Sequence, residues 1–291
     1  MQNETVDKFA ALECTLQFTI NDTTYEVSNK TDFILDSFKH STFSINNNVA
    51  YVNSINNLTY ADFKNNTYTN QQVIDAEKTA AEQNDDNLCW AGTDANMLEW
   101  TNWGRKELGL SNNTLDREDN IFRYYIDNTE LDEGYVIDYG LQWFFNGNNI
   151  VIQDGWVPSS GGNVLNQSCS DYVHNQYLGA SNSANNTYMQ SMKSLEQALR
   201  NGCGVGLSIF NDDKLAHAIT CWGITYDPSY DENDYRHYTG LFITDPDDSK
   251  TKAEQTDNLR YIPLTWKNDR YILNIYSNYS NVYCRTFTIL D

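Results

Sequence analysis

Positive charge is scarce in this chain: Lys plus Arg number 19 against 40 Asp plus Glu, a formal net charge of −21 over 291 residues. Nucleic acid and anionic membrane surfaces carry the same sign, so a chain of this balance is not built to bind them, and a neutral or basic protein partner suits it better. Long apolar runs are lacking too. No stretch approaches the roughly 18 consecutive apolar residues of a membrane-spanning helix, so no membrane insertion is expected. The first residues, "MQNETVDKFAAL", contain no apolar h-region, so a secretory leader is expected to be either missing or already removed. The six cysteines (Cys14, Cys89, Cys169, Cys203, Cys221, Cys284) are dispersed, with no CxxC pair for zinc and none of the dense spacing of a disulfide scaffold. Pairing of Cys203 with Cys221, or of Cys14 with Cys284, is left open. Histidine is scarcer still, with four residues: His40, His174, His217 and His237.

What is present is a foldable composition. A hydrophobic content of 40% with 13% aromatic residues is enough for one large core, or for a main domain with a small appendage. Residues 12–62 read as short strands ("TLQFTI", "TTYEV", "FSINNNVAYV") broken by Asn/Asp clusters. The pattern changes near residue 71. Two regions are therefore expected, a β-rich N-terminal region over 1–70 and a main domain over 71–291. In the latter, Cys89 opens a helical segment in which Trp90, Asp94, Met97, Leu98 and Thr101 share a face, ended by Gly104. Further helices are expected at 115–126 and 188–200, the second closed by Asn201-Gly202. From 204 onward the runs 204–210, 216–227, 240–245, 259–266, 270–276 and 284–291 read as strands. Helices first and an antiparallel sheet afterwards make an α+β architecture.

The chemistry is concentrated in "NDDNLCWAGTDANMLEW" (84–100). A thiol is an effective nucleophile only as thiolate, and a helix N-terminus together with an imidazole stabilises that form. Of the four histidines only His217 lies inside an apolar strand, "LAHAITCWGITYD", where a lone imidazole would be out of place. Asp245 ends the next strand, "GLFITD", and can fix the ring tautomer by accepting its second N–H. Asp247, two residues on, can face the same side. A buried small hydrophobe or a disulfide half is the bland reading of Cys89, and a satisfied core histidine that of His217; the ordered set of three favours chemistry. "DPDDSKTKAEQT" (245–256) has oxygens where a calcium loop has them, but Lys250 and Thr256 replace the required Gly and Glu, so that reading is rejected. The acidic run 227–237 reads as a solvated hairpin tip, and Trp90 and Trp222 as packing residues.

These same residues resemble the IdeS/Mac family of secreted bacterial cysteine proteases, the immunoglobulin-degrading enzymes of streptococci and their relatives. Cys89, Ala91, Asn96, Met97 and Leu98 match that family's cysteine helix, and His217, Ile219, Trp222 and Gly223 match its histidine strand. Thr244, Asp245 and Asp247 match its aspartate turn. The resemblance covers about a tenth of the chain in motif residues, spread in order over 71–291. It implies a papain-like fold, with Cys89 as nucleophile, His217 as general base and acid, Asp245 as orienter and Asp247 as a secondary carboxylate. The family places an oxyanion-stabilising lysine about ten residues before the cysteine; here position 79 is Thr, and Lys78 stands one step earlier. The glutamine of papain corresponds to Gln83 (89 − 6 = 83), which is favoured for that role, with Lys78 the alternative.

The expectation is thus a secreted or cell-surface cysteine endopeptidase, monomeric, needing no metal or organic cofactor, and acting on a protein substrate. Host immunoglobulin is implied by the resemblance alone. Two rival readings use the same residues differently: an acyltransferase or transglutaminase-like enzyme with the same triad, and a non-catalytic adhesion module supported by 20 Tyr and 7 Trp on an acidic chain.

Overall fold

A computed structural model describes residues 9–20, 23–34, 43–46, 49–52, 74–78, 85–103, 108, 117–128, 134, 136–147, 161–178, 188–212, 215–247 and 259–291; up to residue 52 only the backbone is described. Strands β1 (Phe9–Ile20) and β2 (Thr23–Ile34) pair antiparallel from Phe9↔Ile34 to Ile20↔Thr23. They belong to a first unit, Met1–Phe38, while the second spans Lys39–Asp291. The division therefore falls earlier in the chain than the change of sequence pattern near residue 71.

The second unit has an α+β architecture. Its continuous apolar runs become β6 (Gly204–Phe210), β7 (Ala216–Tyr226) and β8 (Tyr238–Thr244), central strands that read as unbroken hydrophobic segments because both faces are covered. The exposed-in-alternation run β9 (Arg260–Lys267) follows, then β10 (Arg270–Leu273) and β11 (Tyr283–Leu290). With β5 (Val173–Tyr177) they form an antiparallel sheet of order β10-β9-β8-β7-β6-β11-β5. A hairpin of β3 (Phe43–Asn46) and β4 (Val49–Val52) joins it through β4 and β7, Val49 opposite Thr225. These two strands, expected in an N-terminal β region, are thus part of the main sheet.

Four helices lie among the described residues: α1 (Cys89–Trp100), α2 (Arg117–Asn128), α3 (Ile137–Asn146) and α4 (Tyr188–Arg200). The sequence expectations located α1, α2 and α4 within two or three residues and missed α3, whose C-terminal Gly147 adopts φ 64. One correction concerns α1. Its residues were expected to divide into a core face and an outer face, yet every residue from Trp90 to Trp100 is buried. The reason is position: α2 and α3 pack on one side and strands β6 and β7 on the other, so no face is left for solvent. Gly206 makes the approach to the sheet feasible, because a Cβ there would meet Thr93 Cγ2 at 2.8 Å and Met97 Sδ at 2.9 Å. Two apolar clusters result. One fills the space between α4 and the sheet (Leu195, Leu199, Leu207, Ile219, Ile243, Phe287), and the other surrounds α1 (Leu88, Met97, Leu98, Tyr125, Leu141, Phe144).

Candidate active site

The site forms where the N-terminus of α1 meets the start of β7 and the end of β8. Cys89 is the first residue of α1, and no acidic side chain occupies that first turn. The partial positive charge of the helix end is therefore left to act on the thiol. Cys89 is half-buried, Cys169, Cys203, Cys221 and Cys284 are buried, and none of the five is in a disulfide. The Cys203–Cys221 pairing is thus not formed, and the Cys14 side chain lies outside the described residues.

Asn96 ties the helix to the strands. Its Oδ1 accepts from Ala76 N–H (2.7 Å), and its Nδ2 donates to Thr220 Oγ1 on β7 (3.0 Å) and to Thr244 Oγ1 on β8 (3.4 Å). Trp222 Nε1 also donates to Thr244 Oγ1 (3.0 Å), which makes that indole a brace, as expected, and not a substrate platform. Gly92, one turn after Cys89, faces the Asp245–Asp247 turn: a Cβ there would stand 3.0 Å from Pro246.

His217 is buried, opposite Ile209 of β6. Its Nε2 lies 2.7 Å from Asp245 Oδ1, so Nδ1 is the ring nitrogen left for the Cys89 thiol, whose hydrogen bond and charge act on the imidazole. Burial alone would raise the thiol pKa; the His217 hydrogen bond and charge, then the Lys78 charge and the Ala218 N–H, outweigh it and bring the thiol below its ordinary value. Burial works against the imidazolium too, but hydrogen bonds to Asp245 and Cys89 raise His217 from 6.5 to about 10. Both shifts run in the direction of the thiolate–imidazolium pair that a cysteine nucleophile needs.

Asp245 is fully buried, and burial by itself would raise its pKa. Four donors reverse that. Oδ1 faces His217 and accepts Asp247 N–H (3.1 Å); Oδ2 accepts the Tyr276 hydroxyl (2.6 Å) and Arg260 Nη1 (3.3 Å). The carboxyl is held down at about 2 and is an anion at any physiological pH.

Asp247 is partly exposed. Its Oδ2 stands 3.8 Å from His217 Nδ1, and its Oδ1 pairs with the Lys78 ammonium. Lys78 is 2% exposed, and its Nζ also donates to the Asp86 carbonyl (2.7 Å) while its backbone N–H donates to the Pro246 carbonyl (2.9 Å). The structure therefore brings together Cys89, His217, Asp245, Asp247 and Lys78. Gln83 lies outside the described residues.

No protein-family model matches the chain, and no curated protein does. The geometry accordingly has to carry the functional reading. Tyr276 and Arg260 were not foreseen, since nothing local separates one tyrosine of 20 from the rest. Of the other histidines, His174 lies on the edge strand β5 and His237 at the β7–β8 hairpin tip, its Nδ1 2.9 Å from the Tyr230 carbonyl oxygen. That tip, 227–237, is built of exposed Asx turns at Asp227, Asp231 and Asp234, as the solvated-tip reading expected. Among the described residues, no group of three or more His, Cys, Asp or Glu side chains is arranged to hold a metal ion, and no helix is long and apolar enough to cross a membrane.

Proposed function

We propose that this chain is a papain-like cysteine endopeptidase. One observation carries the reading: a helix-terminal thiol of lowered pKa against an imidazole whose far nitrogen is fixed by a buried carboxylate 2.7 Å away. The Cys89 thiolate attacks the carbonyl carbon of a peptide bond, and the electron pair of the C=O bond moves to oxygen. When the intermediate collapses, the C–N bond breaks and His217 Nδ1 gives its proton to the departing amine. A water molecule, deprotonated by the now neutral His217, then hydrolyses the Cys89 thioester and restores the pair.

The oxyanion needs donors. The Cys89 N–H at the start of α1 is one candidate, since the Ala91 and Gly92 N–H groups already donate to the Leu88 carbonyl. The Lys78 ammonium has three N–H bonds, and the contacts to Asp86 and Asp247 engage two. Its burial beside the thiol supports Lys78 in the role for which sequence reasoning favoured Gln83.

The resemblance to the IdeS/Mac proteases supports the same reading and adds a secreted or surface-displayed enzyme acting on an extended segment of a host protein, with the immunoglobulin hinge as the first candidate. The test is to incubate the protein and its Cys89→Ala variant with serum immunoglobulins and with a mixture of unfolded proteins, and to map new termini by mass spectrometry. Cleavage by the unsubstituted protein alone is expected. Identical behaviour of the two on every substrate overturns the peptidase reading. An added primary amine found on the new C-termini in place of water would favour acyl transfer instead.

A further inference from the structure

The orienting carboxylate is itself oriented. Asp245 Oδ2 accepts two side-chain donors that come from parts of the chain remote from the triad. Tyr276, just beyond β10, contributes its hydroxyl at 2.6 Å, and Arg260, the first residue of β9, contributes Nη1 at 3.3 Å. Arg260 is anchored in turn by the carbonyl of Ile275, which accepts its Nη2 at 2.9 Å, so the two donors belong to one braced segment. With His217 and the Asp247 N–H on Oδ1, each carboxylate oxygen accepts two donors, and the carboxylate plane has no freedom to rotate.

We propose that Tyr276, assisted by Arg260, is a positioning residue that fixes Asp245 and through it the His217 ring against Cys89; the inference rests on the peptidase reading. The charged and titratable groups around the carboxylate are His217 from β7, Arg260 from β9, Tyr276 itself and Asp247 from its own turn, with Lys78 paired to Asp247 and Cys89 beyond the imidazole. Tyr276 remains a donor throughout the working pH range, because burial and the neighbouring Asp245 and Asp247 charges push its phenol upward. Its ring also stands 6.3 Å from the His217 ring, and the exposed Tyr279 packs edge-on against it at 6.0 Å. A phenylalanine keeps this packing and loses only the hydroxyl, which separates positioning from filling.

The experiment follows the rate at which iodoacetamide alkylates Cys89 in the full chain against pH, for the unsubstituted protein, Tyr276→Phe and Arg260→Gln. The acid limb of the profile reports formation of the thiolate, which depends on a correctly placed imidazolium. For Tyr276→Phe the limb is expected to move up by about one pH unit, with the rate near pH 6 falling about tenfold, as for loss of one hydrogen bond to a charged group. Arg260→Gln moves it the same way by less. Superimposable profiles, with the unsubstituted protein reactive at acid pH, overturn the positioning role and leave the nucleophile reading standing. An unsubstituted Cys89 that reacts only in the range of an ordinary thiol overturns both. Should Tyr276→Phe not fold, an unmoved limb in Arg260→Gln overturns the proposal.

Discussion

His217 Nε2 and Asp245 Oδ1 stand 2.7 Å apart across 28 residues of sequence, both side chains almost wholly withdrawn from water. Adjacent antiparallel strands produce this proximity: His217 is near the start of β7, and Asp245 follows the last residue of β8. Replacing Asp245 with Asn keeps the shape and removes the charge, so the imidazolium loses its main support. A fall in kcat of about a thousandfold is expected, with KM little changed. The pH dependence of stability carries a second signature. Asp245 is held at about 2 against an ordinary 3.8, so its contribution is present above the ordinary value and is lost as pH falls through about 2. His217, raised from 6.5 to about 10, contributes fully below 6.5 and loses that contribution as pH rises through about 10. Melting temperatures of the unsubstituted protein and Asp245→Asn should therefore converge between about pH 4 and 2.

Asn96 links α1, the 74–78 segment and strands β7 and β8 through one amide. Asn96→Ala leaves the buried Ala76 N–H without its acceptor and takes the donor from Thr220. The expected loss of stability is about 2–4 kcal/mol by denaturant titration.

Asp94 is buried in α1, its pKa driven well up by burial and by the neighbouring Asp138. A carboxyl with a raised folded-state pKa binds its proton more tightly folded than unfolded, so stability declines as pH climbs above the ordinary 3.8. Asp94→Asn keeps the shape and removes the titration. It should raise the melting temperature at pH 8 more than at pH 4, and an equal change at both would contradict this account.

Lys78→Met preserves the buried stem and deletes the ammonium. If Lys78 serves the oxyanion, kcat drops about 10²–10³-fold with KM nearly constant. The rate of Cys89 alkylation changes much less, because His217 and not Lys78 leads the support of the thiolate.

Strands β6 to β8 were legible because central strands of a covered sheet read as continuous apolar runs, and the runs at 204–210 and 216–227 match β6 and β7 almost to the residue. The grouping of Cys89, His217 and Asp245 was legible for a different reason: His217 is an imidazole inside an apolar strand, and Cys89 at a helix start and Asp245 at the next strand's end complete an ordered set around it. Helix α3 was missed although its signal was present: Ile137, Leu141, Phe144 and Phe145 recur at helical spacing and Gly147 follows as a cap. Strand β5 was missed because an edge strand of polar residues, "VHNQY", carries no alternation. Tyr276 and Arg260 act through contacts 31 and 15 residues distant from Asp245, which no local pattern encodes. The burial of Lys78 depends on the Pro246–Asp247 turn closing over the 74–78 segment, a tertiary event.

The central claim is that Cys89 is a thiolate paired with the His217 imidazolium. Alkylation by iodoacetamide at pH 6, with each cysteine resolved by mass spectrometry, tests it directly. The account predicts selective modification of Cys89, tens of times faster than a free thiol at the same pH and abolished by His217→Ala. Modification of Cys89 at the free-thiol rate, unchanged by His217→Ala, would contradict it.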